Sequence, residues 1–580
     1  MKSGKYFSLD ELGKHANIDQ SSLRHGYLAL YEELLPARPA SGLRIILFGQ
    51  SNIALEEARL LSMYYSGATV VIAYIKGKDP LLNFPDGIRC VACESIEDLA
   101  LFLIAEQPFD LFIDHGNNRR SQKRDLFLKL FPALSPGGHY CIEDVHATWL
   151  DKFVDSSENV IDDIFKIMQM RAIDPTRKDA GPGGFPVEAL AAVMHHGRLV
   201  IARRSDRKLA GRIHESESIR FFKWSPGTLA DSIIISPAET VRSKAEVITN
   251  RPELMSRFPA TIQIPPVRLQ IYEDVVCMPG QIVIKGDAIL PESFRMFLQK
   301  VAKNRHLVQP GTFYARPIQE NSASQKLAGT YLYIDNEIDD HYGHITLEVV
   351  SKLWAWEEAS KRWPDLRLLA GAAKGQVSPI LLDILNLYGI PADRVTALNV
   401  PAQVERLVCP TQLYHIGRHA SPRLEATWDK LTRAGQTDTR LACKKLFLSR
   451  SEEIGRGCRN QRDVEAIFAA GGYDIVRPES FSLCEQITML SKATAIGGFA
   501  GSAMLNAIYA NPKVMKTVIA SETFNAGNDY IISTIKGGIL NYFFCTAEIQ
   551  HPPGKWSERA FMSPYSFDLE RDGELLSSVI

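Results

Sequence analysis

The sequence lacks the features that mark several large classes of protein. None of its apolar runs approaches the roughly 18 residues of a membrane-spanning helix, and the first residues, MKSGKYFSLDELGKH, lack the apolar core of a signal peptide. The formal net charge is −1, so no overall basic surplus indicates nucleic acid or anionic lipid. These absences predict a cytoplasmic protein without a nucleic-acid partner, and they leave peripheral docking on a membrane open.

Cysteine is present but does not form a recognisable framework. The nine cysteines are dispersed along the chain, and an odd, scattered set does not indicate a disulfide-stapled domain. Cys90 and Cys93 have C-x-x-C spacing, but no second pair follows at a distance typical of zinc sites. The flanking residues have the pattern of a buried strand, so we assign these two cysteines neither a redox nor a metal role.

Short apolar runs that alternate with helical patterns dominate the chain. Runs such as LRIILFG and ATVVIAYI predict strands, and strand–helix alternation is typical of parallel α/β sheets. We therefore predict an α/β protein, in which one Rossmann-like domain is followed by two Rossmann-like domains that face each other across a cleft. The predicted division is a helical leader over 1–40, the first domain over 41–205, a connector over 206–260, and two facing halves over 261–435 and 436–580, the last with a C-terminal tail.

Arginines cluster after one strand of the C-terminal half. The run KKLFLSR ends at Arg450, and the loop that follows carries Arg456, Arg459 and Asn460. Arginine at a strand end can hold a diphosphate bidentately. The alternative is a solvated charged loop.

Two further segments of this half are candidates for donor binding. Ser482 and Glu485 form the S-x-x-E pattern of a capping box, so Glu485 also has a structural interpretation. The run ATAIGGFAGSAMLN predicts a strand, a glycine-rich turn through Gly501 and Ser502, and a new helix. Backbone N–H groups at a helix start attract phosphate or carboxylate.

The segment IDNEIDDHYGHITLEVV contains residues that could bind a metal, move protons or cap a helix. Its spacing H-x-x-H-x-x-x-E is not a zinc-protease pattern, and Asp339 and Asp340 precede a predicted helix, where acidic residues cap it. A helix places His344 and Glu348 on one face. We predict His344 as a base or acceptor-binding residue, Glu348 as its orienting partner, and His341 as the alternative base.

Taken in order, these motifs resemble glycosyltransferase family 61 over roughly 260–545. The resemblance implies a GT-B-like arrangement and an inverting transfer from a nucleotide-sugar of UDP or GDP type. It implies that His344 or His341 is the base, and that Arg450 and Arg459 hold the diphosphate. The donor-side residues it implies are Arg450, Arg459, Asn460, Glu485, Gly501, Ser502 and Asn506. One departure is Ala500, where many members of the family have a histidine.

The N-terminal half resembles S-adenosylmethionine-dependent methyltransferases of the macrocin O-methyltransferase and cephalosporin hydroxylase kind. The segment FDLFIDHGNNRR, followed by LFPALSPGGHYCIED, carries the resemblance. It implies S-adenosylmethionine as cofactor and an Mg²⁺ site at Asp114, Glu143 and Asp144. The departures are His115 in place of an aspartate, Asn118 in place of a histidine, and a single glycine in the first turn, FGQSN.

The leading expectation is a glycosyltransferase of capsular or cell-surface polysaccharide synthesis. It would act on a glycan, lipid-linked glycan or other hydroxyl acceptor and carry an appended methyltransferase-like domain. That domain could be active, could be degenerate and serve docking or assembly, or could bind another ligand. A second expectation is an S-adenosylmethionine- and Mg²⁺-dependent sugar O-methyltransferase with a glycan-binding C-terminal half. A third is a non-enzymatic scaffold.

Overall fold

The structure of the protein is a computed structural model with two compact units. Unit 1 combines the N-terminal part of the chain up to Thr228 with Ile282–Asn321, and unit 2 combines Leu229–Gln281 with Ser322–Ile580. The described residues are 7–35, 42–77, 88–106, 108–299, 302–309, 311–318, 323–372, 374–437, 444–450 and 456–580. Both ends of the predicted leader therefore lie outside the described residues.

Unit 1 is built on a seven-stranded sheet with a parallel part of five strands. Its order is Arg89–Cys93, Thr69–Ile75, Arg44–Phe48, Leu111–Asp114 and His139–Ile142, followed by the antiparallel strands Leu199–Arg204 and Leu190–His196. Its α-helices are Leu9–His15, Tyr27–Leu34, Asn52–Tyr64, Ile96–Ala105, Arg120–Leu130, Val160–Ile173 and Ser218–Trp224. Unit 1 also contains five short strands outside this sheet: Ala210–Arg212, Ile282–Lys285, Ala288–Ile289, Leu307–Val308 and Tyr314–Pro317. The strand order reverses next to Arg44–Phe48, where open α/β sheets take their ligands.

The leader helices of unit 1 are part of its core. Ser8 and Glu11 form a capping box that starts the first helix, and Tyr27 and Tyr31 of the second helix are buried. These tyrosines pack in one apolar cluster with Ile45 of the sheet. The leader is thus held to the sheet by burial of its apolar side chains.

Unit 2 contains two sheets. The first runs Leu229–Ser236, Val267–Met278, Ala402–Pro410, Gln325–Tyr333, Arg367–Gly371 and Val395–Leu398, and it is parallel from Ala402–Pro410 onward. The second is parallel over Ala245–Thr249, Gly538–Ala547, Met515–Ser521, Ala495–Phe499, Lys445–Leu448 and Asp474–Val476, with Tyr565–Ser566 antiparallel at Gly538–Ala547. Two strand pairs stand apart: Glu239–Arg242 with Thr261–Ile264, and Tyr414–His415 with His419–Ala420. The protein is a mixed α/β protein with several Rossmann-like sheets, as the sequence predicts.

The helices of unit 2 follow its parallel strands. The α-helices of more than one turn are Ala355–Arg362, Pro379–Tyr388, Leu424–Gly435, Gln461–Ala470, Leu483–Lys492, Asn528–Lys536, Glu558–Phe561 and Leu569–Val579. Some of the strands that precede these helices are buried and apolar, for example the one that contains Leu446, Phe447 and Leu448. No helix among the residues that the structure describes is both long and apolar enough to span a bilayer.

The structure differs from the predicted elements in three places. The helix predicted from His344 is a succession of an α-turn at Tyr342–His344, a π-turn at Ile345–Val349 and a 3₁₀-turn at Val350–Lys352. The helix predicted after the glycine-rich turn is a 3₁₀-helix, Ser502–Tyr509. The predicted connector contains strands of both units, and Ile282–Asn321, predicted within the first facing half, belongs to unit 1.

Candidate functional site

A histidine–glutamate pair lies at the start of the interrupted helix in unit 2. The Nδ1 atom of His344 lies 2.7 Å from Oε2 of Glu348. The Glu348 side chain is fully buried, whereas the His344 side chain is 18% exposed. Asn336 donates to the same carboxylate oxygen at 3.5 Å. A buried carboxylate that engages Nδ1 fixes the ring and favours Nε2 as the atom that exchanges a proton.

His341, the alternative base, has a different local role. It occupies the N-cap position, and its Nδ1 accepts from the backbone N–H of Gly343 at 3.2 Å. Burial and the neighbouring His344 lower the pKa of His341, and the charge of Arg456 contributes to the same shift. His341 thus belongs to the same cluster, with one ring nitrogen already used for capping.

Gly343 allows the histidine turn to approach the glycine-rich turn of the second sheet. A Cβ atom at Gly343 would lie 2.9 Å from Cδ1 of Leu505 and 3.4 Å from Oγ of Ser502. The neighbouring Tyr342 donates its hydroxyl to Oδ1 of Asn506. The predicted residue Ser502 therefore lies at the site.

Asn506 is fully buried and both ends of its amide are occupied. Its Nδ2 atom donates to Oε1 of Gln486 at 2.9 Å, and its Oδ1 atom accepts from Tyr342. Through these contacts Asn506 connects the two sheets of unit 2. The sequence analysis instead predicts that Asn506 contacts the sugar donor.

Arg450 lies over the glycine-rich turn. Its Nη1 atom is 3.6 Å from where a Cβ of Gly501 would be, and it donates weakly to the carbonyl of Ala500 at 3.5 Å. Gly501 has a backbone φ of 152°, a value that residues with a side chain rarely adopt. Gln461 donates to the Arg450 carbonyl at 2.9 Å and holds the end of the strand in place.

Arg456 is a further candidate site residue, to which the sequence analysis gave no role. Burial, and to a smaller extent the charge of Arg450, lower the pKa of Arg456 to about 10. Its guanidinium carbon lies 4.4 Å from the ring centroid of Phe524, and its Nε has no hydrogen-bond partner among the described residues. Arg456 also has φ of 65°, a strained conformation that clusters at functional sites. The signal was available, because Arg456 lies in the same arginine-rich loop as Arg459.

Three predicted donor residues are engaged elsewhere. Arg459 makes two hydrogen bonds to Glu548 at 2.6 and 3.1 Å, and its side chain is 61% exposed. Asn460 exchanges two hydrogen bonds with the backbone of Phe567, each at 2.9 Å. Glu485 forms the predicted capping box with Ser482. The described contacts do not bring these three side chains to the histidine pair.

The predicted metal residues of unit 1 do not converge as a set. Asp114 is fully buried, and its Oδ1 accepts from the backbone of Gly116 at 2.8 Å. Asp144 has φ of 48°, and its side chain is 33% exposed. Of the three, only Glu143 belongs to a cluster with metal-ligand spacing among the described residues, and its neighbours there are Glu57 and His115.

Comparisons with known proteins can now be placed on this geometry. Residues 342–519 match the family model described as Glycosyltransferase 61. No curated protein matches the sequence.

The glycosyltransferase 61 match includes every donor-side residue that the sequence predicts. It begins one residue after His341, so His344 and Glu348 lie within it and His341 lies just outside. Arg450 and Arg456 also fall inside the matched residues.

Solved structures of the MycE methyltransferase from the mycinamycin biosynthetic pathway also match. The structure with Mg and SAH is 18% identical, with a TM-score of 0.29, and covers 35% of this chain and 55% of that chain. The structure with Mg, SAH and mycinamycin VI is 17% identical, with a TM-score of 0.30, and covers 35% and 54%. The chain thus spans about half the length of MycE. A similarity at this level carries no inference about cofactor or activity.

Proposed function

We propose that unit 2 transfers a sugar from a nucleotide-sugar to a hydroxyl acceptor with inversion. The observation that carries the proposal is a pair of guanidinium groups close to the histidine turn. Arg450 lies at Gly501, whose neighbour Ser502 approaches Gly343, and the charge of Arg456 acts on His341. No described carboxylate forms an ion pair with either arginine, so together they offer uncompensated positive charge to an anion. The family match at 342–519 supports a nucleoside diphosphate as that anion.

His344 acts as the general base in this proposal. Its Nε2 takes the proton of the acceptor hydroxyl as that oxygen attacks the anomeric carbon. The hydrogen bond between Nδ1 and Glu348 stabilises the imidazolium that forms. One bond forms between the acceptor oxygen and the anomeric carbon, and attack from the side opposite the leaving group inverts that carbon.

Arg450 and Arg456 act on the leaving group. The bond between the anomeric carbon and the diphosphate oxygen breaks, and the nucleoside diphosphate leaves with the electron pair. Guanidinium groups fixed before the reaction stabilise the charge that develops on that oxygen. The stacking of Arg456 on Phe524 and the approach of Arg450 to Gly501 hold both groups in position.

The wider context is part of the same proposal. The two sheets of unit 2 are the halves of a GT-B-like enzyme, and the product belongs to capsular or other cell-surface polysaccharide synthesis. The acceptor is a glycan or a lipid-linked glycan, and transfer takes place in the cytoplasm. The support is the family match alone.

A binding and turnover assay tests the proposal. Thermal shift and calorimetry with UDP and with GDP identify the nucleotide, and release of that nucleotide from a panel of its sugar conjugates reports turnover. We expect one nucleotide to stabilise the protein, by about 2.7 kcal/mol at a concentration of 100 times Kd. Absence of binding by both nucleotides, or stabilisation by S-adenosylmethionine alone, would overturn the proposal.

A further inference from the structure

Unit 1 brings together a histidine and two glutamates that the proposed sugar transfer does not use. His115 follows the strand Leu111–Asp114, Glu143 follows the strand His139–Ile142, and Glu57 lies on the helix after the first strand. All three meet at the edge of the sheet where the strand order reverses. This edge is the place at which open α/β sheets take ligands.

The three side chains lie within metal-ligand spacing. One donor atom from each residue lies within 4.8 Å of the others. His115 Nδ1 is 3.0 Å from Oε2 of Glu143, and His115 Nε2 contacts Oε2 of Glu57. The side chains are nearly or fully buried, with 6% of His115, 4% of Glu143 and none of Glu57 exposed. Two carboxylates and one histidine in so little space need cations or protons between them.

Buried oxygens without donors provide a second, independent observation. Oε1 of Glu57 is buried and has no hydrogen-bond partner among the described residues. Oε1 of Gln20 is in the same condition, although the nitrogen of that amide donates to Glu143 at 3.3 Å. An orphaned buried acceptor in a native structure calls for an explanation, and an unplaced ion is one of the few available. An oxygen atom with no N–H or O–H beside it can instead donate a lone pair to a cation.

We propose that Glu57, His115 and Glu143 bind a divalent transition-metal ion of the Zn²⁺ class. Imidazole with two carboxylates suits Zn²⁺ and its first-row neighbours. Mg²⁺ keeps several waters in an octahedral shell, for which a buried cluster of three side chains has little room. Tyr31 donates to Glu143 at 2.5 Å and orients that carboxylate from the second helix of the leader. Tyr31 thereby links the leader to Glu143, one of the proposed ligands.

The site differs from the one that the sequence motif predicts. The motif assigns Asp114, Glu143 and Asp144, whereas the structure joins Glu143 to Glu57 and His115. His115 stands where the resembling methyltransferases have an aspartate. The exchange of a carboxylate for an imidazole moves the donor set away from Mg²⁺.

Metal content and calorimetry on the full-length, untagged protein test the site. After removal of metal with a chelator and dialysis, titration with Zn²⁺ is expected to give one equivalent bound per chain, and Mg²⁺ none. Metal binding displaces the protons that His115 shares with the two carboxylates, so the heat should depend on the ionisation enthalpy of the buffer. A chain that takes up no stoichiometric Zn²⁺ overturns the proposal and leaves a hydrogen-bonded triad only.

Two variants separate the two donor sets. Glu57→Gln keeps the volume of the side chain and is expected to weaken Zn²⁺ binding at least tenfold. Asp144→Asn, the matched control from the motif, is expected to bind Zn²⁺ like the parent. Loss in Asp144→Asn with retention in Glu57→Gln would overturn the assignment in favour of the motif residues. Circular dichroism of each variant confirms folding, and the result for the parent chain stands if a variant does not fold.

Discussion

In each unit a buried carboxylate contacts a histidine. The two arrangements differ in the number of carboxylates that the histidine ring contacts. In unit 2, His344 contacts one carboxylate, remains 18% exposed, and has no hydrogen-bond partner for Nε2 among the described residues. In unit 1, His115 is held at both ring nitrogens and is 6% exposed.

This difference decides what each histidine can do. Burial opposes the charged form of His115, but Glu143 and Glu57 outweigh it and raise the pKa of this histidine well above its usual value. A ring whose two nitrogens both contact carboxylates has no free nitrogen with which to accept a proton from a substrate. A ring with one free, partly exposed nitrogen can. The same residue types therefore make an open pair in unit 2 and a closed cluster in unit 1.

Removal of the open histidine, His344, is expected to have the largest effect on activity. His344→Ala is expected to lower sugar transfer by about 10²- to 10⁴-fold, because the acceptor loses its general base. Binding of the nucleotide measured by calorimetry should remain at the parent value. His196→Ala, which removes an exposed histidine of unit 1, is the control. Equal turnover in His344→Ala and the parent would refute the role of His344.

The buried partner of the open pair should matter next. Glu348→Gln keeps a hydrogen-bond acceptor beside Nδ1 but removes the negative charge that stabilises the imidazolium. We expect turnover between that of the parent and that of His344→Ala, with unchanged nucleotide affinity. A pH–rate profile identical to that of the parent, at the parent rate, would show that the carboxylate does not act through His344.

Two arginines of unit 2 differ in the same way as the two histidines, because one has a carboxylate partner and the other has none among the described residues. Arg450 has no described carboxylate partner, whereas Arg459 is paired with Glu548. Arg450→Ala is expected to weaken nucleotide binding by about 1.5 to 3 kcal/mol, the usual effect of losing a hydrogen bond to a charged group. Arg459→Ala should leave the Kd unchanged. The reverse pattern in calorimetry would favour the sequence assignment of Arg459 over Arg450.

The smallest effect on activity is expected from the substitution of Asn506, whose side-chain amide is hydrogen-bonded at both ends. Asn506→Ala removes the acceptor of the Tyr342 hydroxyl and the donor to Oε1 of Gln486. The free energy of unfolding should fall by about 1 to 3 kcal/mol, measured by denaturant titration. Nucleotide affinity should change little, and Ser502→Ala should leave the unfolding midpoint at the parent value. A variant that is stable but fails to bind nucleotide would restore Asn506 to the donor site.

Much of the fold follows from local patterns. The apolar runs predicted as strands include Arg44–Phe48, Thr69–Ile75 and Lys445–Leu448, because a strand buried on both faces needs a continuous apolar run. The capping box at Ser482 and Glu485 is present for the same local reason. The interrupted helix was not predicted, because the apolar spacing after His344 fits an α-helix and a π-turn alike.

The candidate site was predictable only in part. Both loop arginines are visible in the sequence, and we predicted Arg459 as the diphosphate contact. In the structure Arg459 is paired with Glu548, and it is the charge of Arg456 that acts on His341. Residues three positions apart on an irregular loop have no fixed periodicity, so their directions follow from packing. Stacking on Phe524, far along the chain, turns Arg456 toward Arg450.

The sequence by itself determined the alternation of strands and helices. It also determined the pairing of His344 with Glu348, because side chains four residues apart on a helical turn lie next to each other in any surroundings. The tertiary structure alone decided which groups are open and which are closed. Glu57, His115 and Glu143 come from three separate elements, and they meet only because parallel strands end at one edge of the sheet. Local geometry is written into short stretches of the chain, whereas burial and partner number depend on all the segments that pack together.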